Sequence, residues 1–179
     1  MVSSVANTPI AALLFTGGVW EQGAFTDDYE FRESSHRETQ TVINVNLVAP
    51  IEITKGLVDN LKRTNNPRAI YMGATSGLER SDCREVAYSA SKFGLRGAIH
   101  ALRLELQKHG VSFTSINPGY VATPEVLEDI RQGGLSDLAP IPMEDIIRTI
   151  DWILSTSNIV ETGDLLLTHK PKSQQRRCS

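Results

Sequence analysis

Residues 69–116 read AIYMGATSGLERSDCREVAYSASKFGLRGAIHALRLELQKHGVSFTSI, and this stretch decides the fold. Ala69–Ala74 is a continuous apolar run, as expected of a strand buried on both faces. Thr75–Arg84 is polar and predicts a loop. From Glu85 to His109 the period changes to helical: Leu95, Ala98, Ile99, Leu102 and Leu106 form one stripe, with Arg96, His100, Arg103 and Gln107 opposite. Gly110 supplies a stop just past the helix end. Val111–Ile116 is apolar or alternating again and runs into Asn117-Pro118-Gly119. A strand, a helix and a second strand in that order make a βαβ unit, whose strands lie parallel.

The same grammar extends outward. Ile10–Phe15 predicts a strand closed by Thr16-Gly17-Gly18. Residues 21–36 are polar with scattered aromatics and predict loop with a short helix. From Glu38 to Arg63, Val42, Val45, Ala49, Ile53, Leu57 and Leu61 predict one apolar helix face, ended by Asn65-Asn66-Pro67. Helices are expected at Thr123–Gln132 (Thr123 as cap, Pro124 in the first turn) and at Pro142–Thr156, then a strand at Gly163–Thr168. Residues 1–169 read as one domain and 170–179 as a basic, frayed tail. Alternation of this kind predicts an α/β fold, a parallel sheet with helices on both faces.

Composition narrows the function. The chain has 179 residues, 40% apolar and 22% charged, with net charge -3, which is ordinary for one soluble domain and gives no basic footprint for nucleic acid. Cys83 and Cys178 are too few for a disulfide scaffold and show no metal-ligand spacing, so no metal is expected and a reducing, cytoplasmic setting is. No apolar run approaches the roughly 20 residues that spanning a membrane requires, so no membrane partner is expected. Arg176 and Arg177 read as part of a solvated tail.

Ligands of such sheets bind beyond the carboxyl ends of the strands, which directs attention to the turns after Phe15, Ala74 and Ile116. Tyr88 and Lys92 stand four apart, on one helix face. An ammonium near a phenol lowers its pKa, which suits acid–base work. Taken alone, the pair is more often a surface coincidence than a site. Thr75 and Ser76 are hydroxyls at the end of the second strand, fit to bond a substrate oxygen and equally at home in an ordinary turn. Asn46 sits mid-helix four residues before Pro50, so its carbonyl loses the usual i+4 donor. That predicts either a local bend alone or a carbonyl that holds a relay water.

Tyr88-Ser-Ala-Ser-Lys92, Asn46-Leu47 and Asn117-Pro118-Gly119-Tyr120-Val121-Ala122-Thr123 occur in one order, with Thr75 thirteen residues before Tyr88. Together they resemble the short-chain dehydrogenase/reductase family, from about Ala11 to Thr168. The resemblance implies a partial Rossmann-like, doubly wound parallel sheet holding strands 4-5-6-7 of the family pattern. It implies hydride transfer between NAD or NADP and a small-molecule carbonyl or alcohol. Tyr88 would be the acid/base, Lys92 would lower its pKa and hold the nicotinamide ribose, Thr75 or Ser76 would orient the substrate oxygen, and Asn46 would hold a relay water. Thr16, Gly17, Gly18, Pro118, Gly119, Val121 and Thr123 would line the nicotinamide end. It also implies a homodimer through helices 38–63 and 85–109.

The sequence departs from the family in three places. No Thr-Gly-x-x-x-Gly-x-Gly turn opens a helix after a first strand, so nothing cradles the pyrophosphate. Thr75 stands where the family has Ser, and Phe15-Thr-Gly-Gly18 where it has Asn-Asn-Ala-Gly. At about 30 residues per βαβ unit, roughly 60–80 residues of the family pattern are expected to be missing ahead of Ile10, leaving that strand as an exposed edge. The competing expectation is a non-catalytic remnant or interaction module that binds no dinucleotide.

Overall fold

The computed structural model describes residues 7–79, 81–132 and 139–170. The strands are β1 (Ala12–Phe15), β2 (Arg68–Met72), β3 (Ser112–Pro118) and β4 (Asp164–Leu167). They form one sheet in the order β1-β2-β3-β4, every pair parallel. The helices are α1 (His36–Ile43), α2 (Ala49–Leu61), α3 (Val86–Leu106), α4 (Pro124–Arg131) and α5 (Met143–Ser155). The basic tail expected at 170–179 lies, from 171 on, outside the described residues, as do Cys178 and the segment 133–138.

Successive residues of a strand face opposite sides of the sheet, and each side carries its own core. Ala69 and Tyr71 of β2 join Phe113 of β3, Leu61 of α2, and Leu95, Ile99 and Leu106 of α3 on one side. Ile70 of β2 joins Ile116 of β3 and Ile153 of α5 on the other. Fully burying one such side chain contributes about 1.5–3 kcal/mol, so the two layers hold the sheet between them. β2 and β3 are apolar or satisfied on both faces, which is why their sequences read as continuous runs. Arg68, 2% exposed, donates from its terminal guanidinium nitrogens to the carbonyls of Thr156, Ser157 and Val160, clamping the end of α5 to the start of β2, while its Nε is left without a partner. Among the described residues β1 has a strand neighbour on one side only.

The long helix departs from its expected phase. Between α1 and α2 lies a π segment, Asn44–Val48, in which hydrogen bonds reach one residue further, as when the Ala49 N–H donates to Asn44 O. The buried positions are Val42, Asn46, Pro50, Thr54, Asn60 and Leu61, while Ile53, expected in the core, is 37% exposed. A step of four drifts by about 40° per turn in an α-helix, and a π turn of wider pitch absorbs the drift. Thr54 is satisfied by Pro50 O and the buried Tyr71 hydroxyl, and Asn60 by Thr8 O. Taken as one helix, His36–Leu61 is long and apolar enough to cross a membrane by length and average composition only, since charged residues break its apolar run. Leu47 packs into the sheet's first core, and Glu52, Lys55 and Asp59 interrupt the outer face.

Candidate active site

Three strand ends open onto one cavity of about 480 Å³. Thr16, Gly17 and Gly18 follow β1, Thr75 and Ser76 follow β2, and Pro118, Gly119, Val121 and Thr123 end or follow β3; all of them line it, together with Tyr88 and Lys92 of α3. Asn46 lies just behind, with its Oδ1 within 3.7 Å of where a side chain on Gly18 would begin. The cavity therefore gathers residues from three strand ends and one helix.

Tyr88 sits three residues into α3 and is held from three sides. Its backbone N–H and that of Ala87 donate to the Glu21 carboxylate, at 3.2 and 2.7 Å, which satisfies free donors of the helix N-terminus. The Phe25 ring meets the Tyr88 ring edge-on at 5.3 Å. Thr75 and Ser76 both line the cavity, and of the two it is Ser76 that stands near enough to the phenol to favour its ionised form. A short 3-10 turn, Thr75–Gly77, makes this switch by turning the chain immediately after Ala74.

The expected lowering of the Tyr88 pKa is not what the geometry produces. Burial pushes the phenol up to about 12, against a smaller lowering by the Ser76 hydroxyl. Lys92 is 4% exposed, and burial brings its ammonium down to about 8. Its Nζ donates to Met72 O at 3.1 Å and lies 5.5 Å from the centre of the Tyr88 ring. Two of the three ammonium protons are left for other acceptors in the cavity. A side chain at Gly18 would begin 3.5 Å from that Nζ, so glycine there keeps the approach to Lys92 open.

Asn46 performs a task that the sequence does not show. Its side chain accepts from the Val19 N–H at 2.9 Å and donates to Val19 O at 2.7 Å and Ser91 Oγ at 3.0 Å. Ser91 in turn donates to Tyr88 O at 2.7 Å. The Asn46 amide thus ties the loop after β1 to the helix that carries Tyr88 and Lys92. Glu21 and Ser91 were missed in the sequence. Ser91 was legible as the hydroxyl inside Tyr-Ser-Ala-Ser-Lys, but Glu21 is a lone carboxylate 66 residues from Ala87, with no local pattern to mark it.

With this geometry in place, the comparisons fix the class. The short chain dehydrogenase model matches residues 6–133, and the chain belongs to that family. It is 29% identical over 145 residues to an acetoacetyl-CoA reductase of Cupriavidus necator, covering 77% of this chain and 58% of that protein. A second acetoacetyl-CoA reductase, from Allochromatium vinosum, is 31% identical over 138 residues, covering 75% and 52%. The chain therefore spans about half the length of the curated relatives it matches. Among solved structures, a 4-hydroxyisoleucine dehydrogenase mutant complexed with NADH and succinate superposes with TM-score 0.77 at 21% identity, covering 92% of this chain and 69% of that one. A metagenomic short-chain oxidoreductase in complex with NADP superposes with TM-score 0.71 at 20% identity, covering 96% and 67%. The fold is Rossmann-like, and the four parallel strands with helices on both faces match the expected partial sheet.

Proposed function

We propose that this chain carries the reaction centre of an NAD(P)-dependent oxidoreductase that interconverts a small carbonyl compound and its alcohol. The observation that carries the reading is the meeting of Tyr88, Ser76 and Lys92 in one cavity at the strand ends. Family membership and the NAD(P) complexes among its structural relatives support it. A bound nicotinamide supplies or accepts the hydride.

In the direction of reduction, Tyr88 hands the phenol proton to the substrate oxygen as negative charge develops there. A phenol held up to about 12 is fully protonated at neutral pH, the state an acid needs. The Ser76 hydroxyl, beside that phenol, shares the substrate oxygen and orients it. Lys92 lies beside the Tyr88 ring, and at about 8 its ammonium both stabilises the phenolate left behind and exchanges a proton with solvent near neutral pH. Asn46 keeps Val19 and Ser91 fixed beneath them. Thr16, Gly17, Gly18, Pro118, Gly119, Val121 and Thr123 would hold the nicotinamide end, with Lys92 free to bond the ribose. We expect a cytoplasmic protein that pairs with a second copy through helices 38–63 and 85–109.

Titration with NADH and NADPH, followed by nicotinamide fluorescence and by thermal shift, tests the reading. Binding in the micromolar range is expected, with Tyr88→Phe retaining binding and losing about 100-fold or more in turnover. No binding up to millimolar cofactor refutes it and favours the non-catalytic module. Turnover unaffected by Tyr88→Phe removes Tyr88 as the acid/base.

A further inference from the structure

The proposed reaction leaves the outer half of the cavity unassigned. Beyond Tyr88 its wall is aromatic: Phe25 packs edge-on against Trp20 at 5.9 Å and against Tyr120 at 6.2 Å, and all three line the space. Its mouth is acidic. Asp27, Asp82, Glu125 and Asp129 line it and are exposed, and Glu85 lines it from a buried position. Among the described residues the cationic lining side chains are Arg84, which donates to Tyr29 O, and Lys92, which donates to Met72 O.

We propose that the substrate of this site carries a positive charge, an ammonium or quaternary ammonium group a few bonds from its carbonyl or carbinol carbon. This rests on the hydride-transfer reading above and specifies the substrate class of that same cavity. The reacting oxygen would sit at Tyr88 and Ser76. The cationic end would lie against the faces of Trp20, Phe25 and Tyr120, within the field of the carboxylates at the mouth. Aromatic faces and carboxylates both attract a cation, and both repel or fail to solvate an anion. Burial holds the Tyr120 and Tyr88 phenols up, and the negative field adds to it, from Glu85 and Asp82 at Tyr120 and from Glu85 at Tyr88. A cation seated there cancels the repulsion that opposes phenolate formation at Tyr88. A polyanionic carrier such as an acyl-CoA meets the opposite field at the same mouth.

Three aryl ketones of nearly equal size separate charge from shape: 4-acetyl-N,N,N-trimethylanilinium, acetophenone and 4-acetylbenzoate. Their binding to the full chain is read from quenching of Trp20 in a Trp152→Phe background, with and without saturating NADPH. The Trp152 side chain lies on α5, lining a different cleft. The cation is expected to bind about tenfold tighter than the neutral ketone at low salt, and the anion weakest. The preference should shrink severalfold in 0.5 M NaCl and in the surface variant Asp82→Asn/Glu125→Gln/Asp129→Asn. Salt acts on the chain with all its carboxylates in place, so the result does not depend on the triple variant folding. Equal binding of the three ketones, a preference for the anion, or acetoacetyl-CoA binding more tightly than the cation overturns the proposal. NADPH binding without a cation preference defeats this inference alone, whereas a silent cofactor titration defeats the substrate assignment through the reading beneath it.

Discussion

Replacing Lys92 by methionine is expected to stabilise the fold while destroying the proposed activity. Lys92 is 4% exposed, and its pKa falls from 10.5 to about 8 through burial alone. At pH 7 it is still charged, and holding that charge inside costs the folded state about 3 kcal/mol relative to the unfolded chain. Methionine has similar length and no charge. It forfeits the 3.1 Å bond to Met72 O, worth about 1 kcal/mol. The variant should therefore be more stable by about 2 kcal/mol at pH 7, which for a chain of this size raises Tm by about 4–8 °C.

The pH dependence supplies the sharper check. A depressed lysine leaves the unfolded state holding more protons between pH 8 and 10.5, so wild-type stability rises with pH in that window. Tyr88 and Tyr71 work the other way, because both are held up to about 12 when folded. Their contribution is complete below pH 10 and is lost as pH rises towards 12. Wild-type stability should thus climb from pH 8 to about 10 and then decline, and Lys92→Met should lack the climb. Urea denaturation of both proteins at pH 7 and pH 10 measures it. A variant less stable at pH 7, or a stability gap that does not narrow by pH 10, refutes the assignment of Lys92 as a buried charge.

Three further substitutions probe the turn after β2. Ser76→Ala should lower kcat/KM by about 10- to 100-fold, with Thr75→Ala much milder, in steady-state assays of whichever ketone is turned over; the reverse order would return the substrate-orienting role to Thr75. Gly77→Ala should destabilise by about 2 kcal/mol in denaturant titration, because its Cβ would fall 2.9 Å from the backbone carbonyl of Lys92.

Much of the architecture is legible because each local signal agrees with its tertiary role. The run at Ala69–Ala74 is apolar and Val111–Ile116 is buried throughout because helices cover both faces of the sheet. Thr123 does cap α4, accepting from the Val126 N–H, and Gly110 does take a left-handed conformation after α3. The phase of the helix after residue 36 was not legible. Counting apolar residues assumes 3.6 per turn, and the π segment at Asn44–Val48 breaks the count, exposing Ile53 and burying Asn46. The pocket chemistry was half legible. Tyr88 and Lys92 fall on one helix face by spacing alone. Whether Thr75 or Ser76 meets the phenol depends on a single 3-10 turn, and the direction of the Tyr88 shift depends on burial, which spacing does not report.

The Asn46 side chain bears a carbonyl and an N–H that pair with the N–H and the carbonyl of one residue, Val19. In that pairing it acts as a detached peptide unit, completing for Val19 the ladder that a neighbouring strand would otherwise supply. The loop after β1 is therefore moored to the helices rather than to the sheet. β1, which among the described residues pairs only with β2, can open while Val19 stays fastened. Sheet breathing and loop breathing become separate events, and amide exchange at Val19 follows the opening of the helix layer rather than that of the strand it comes from.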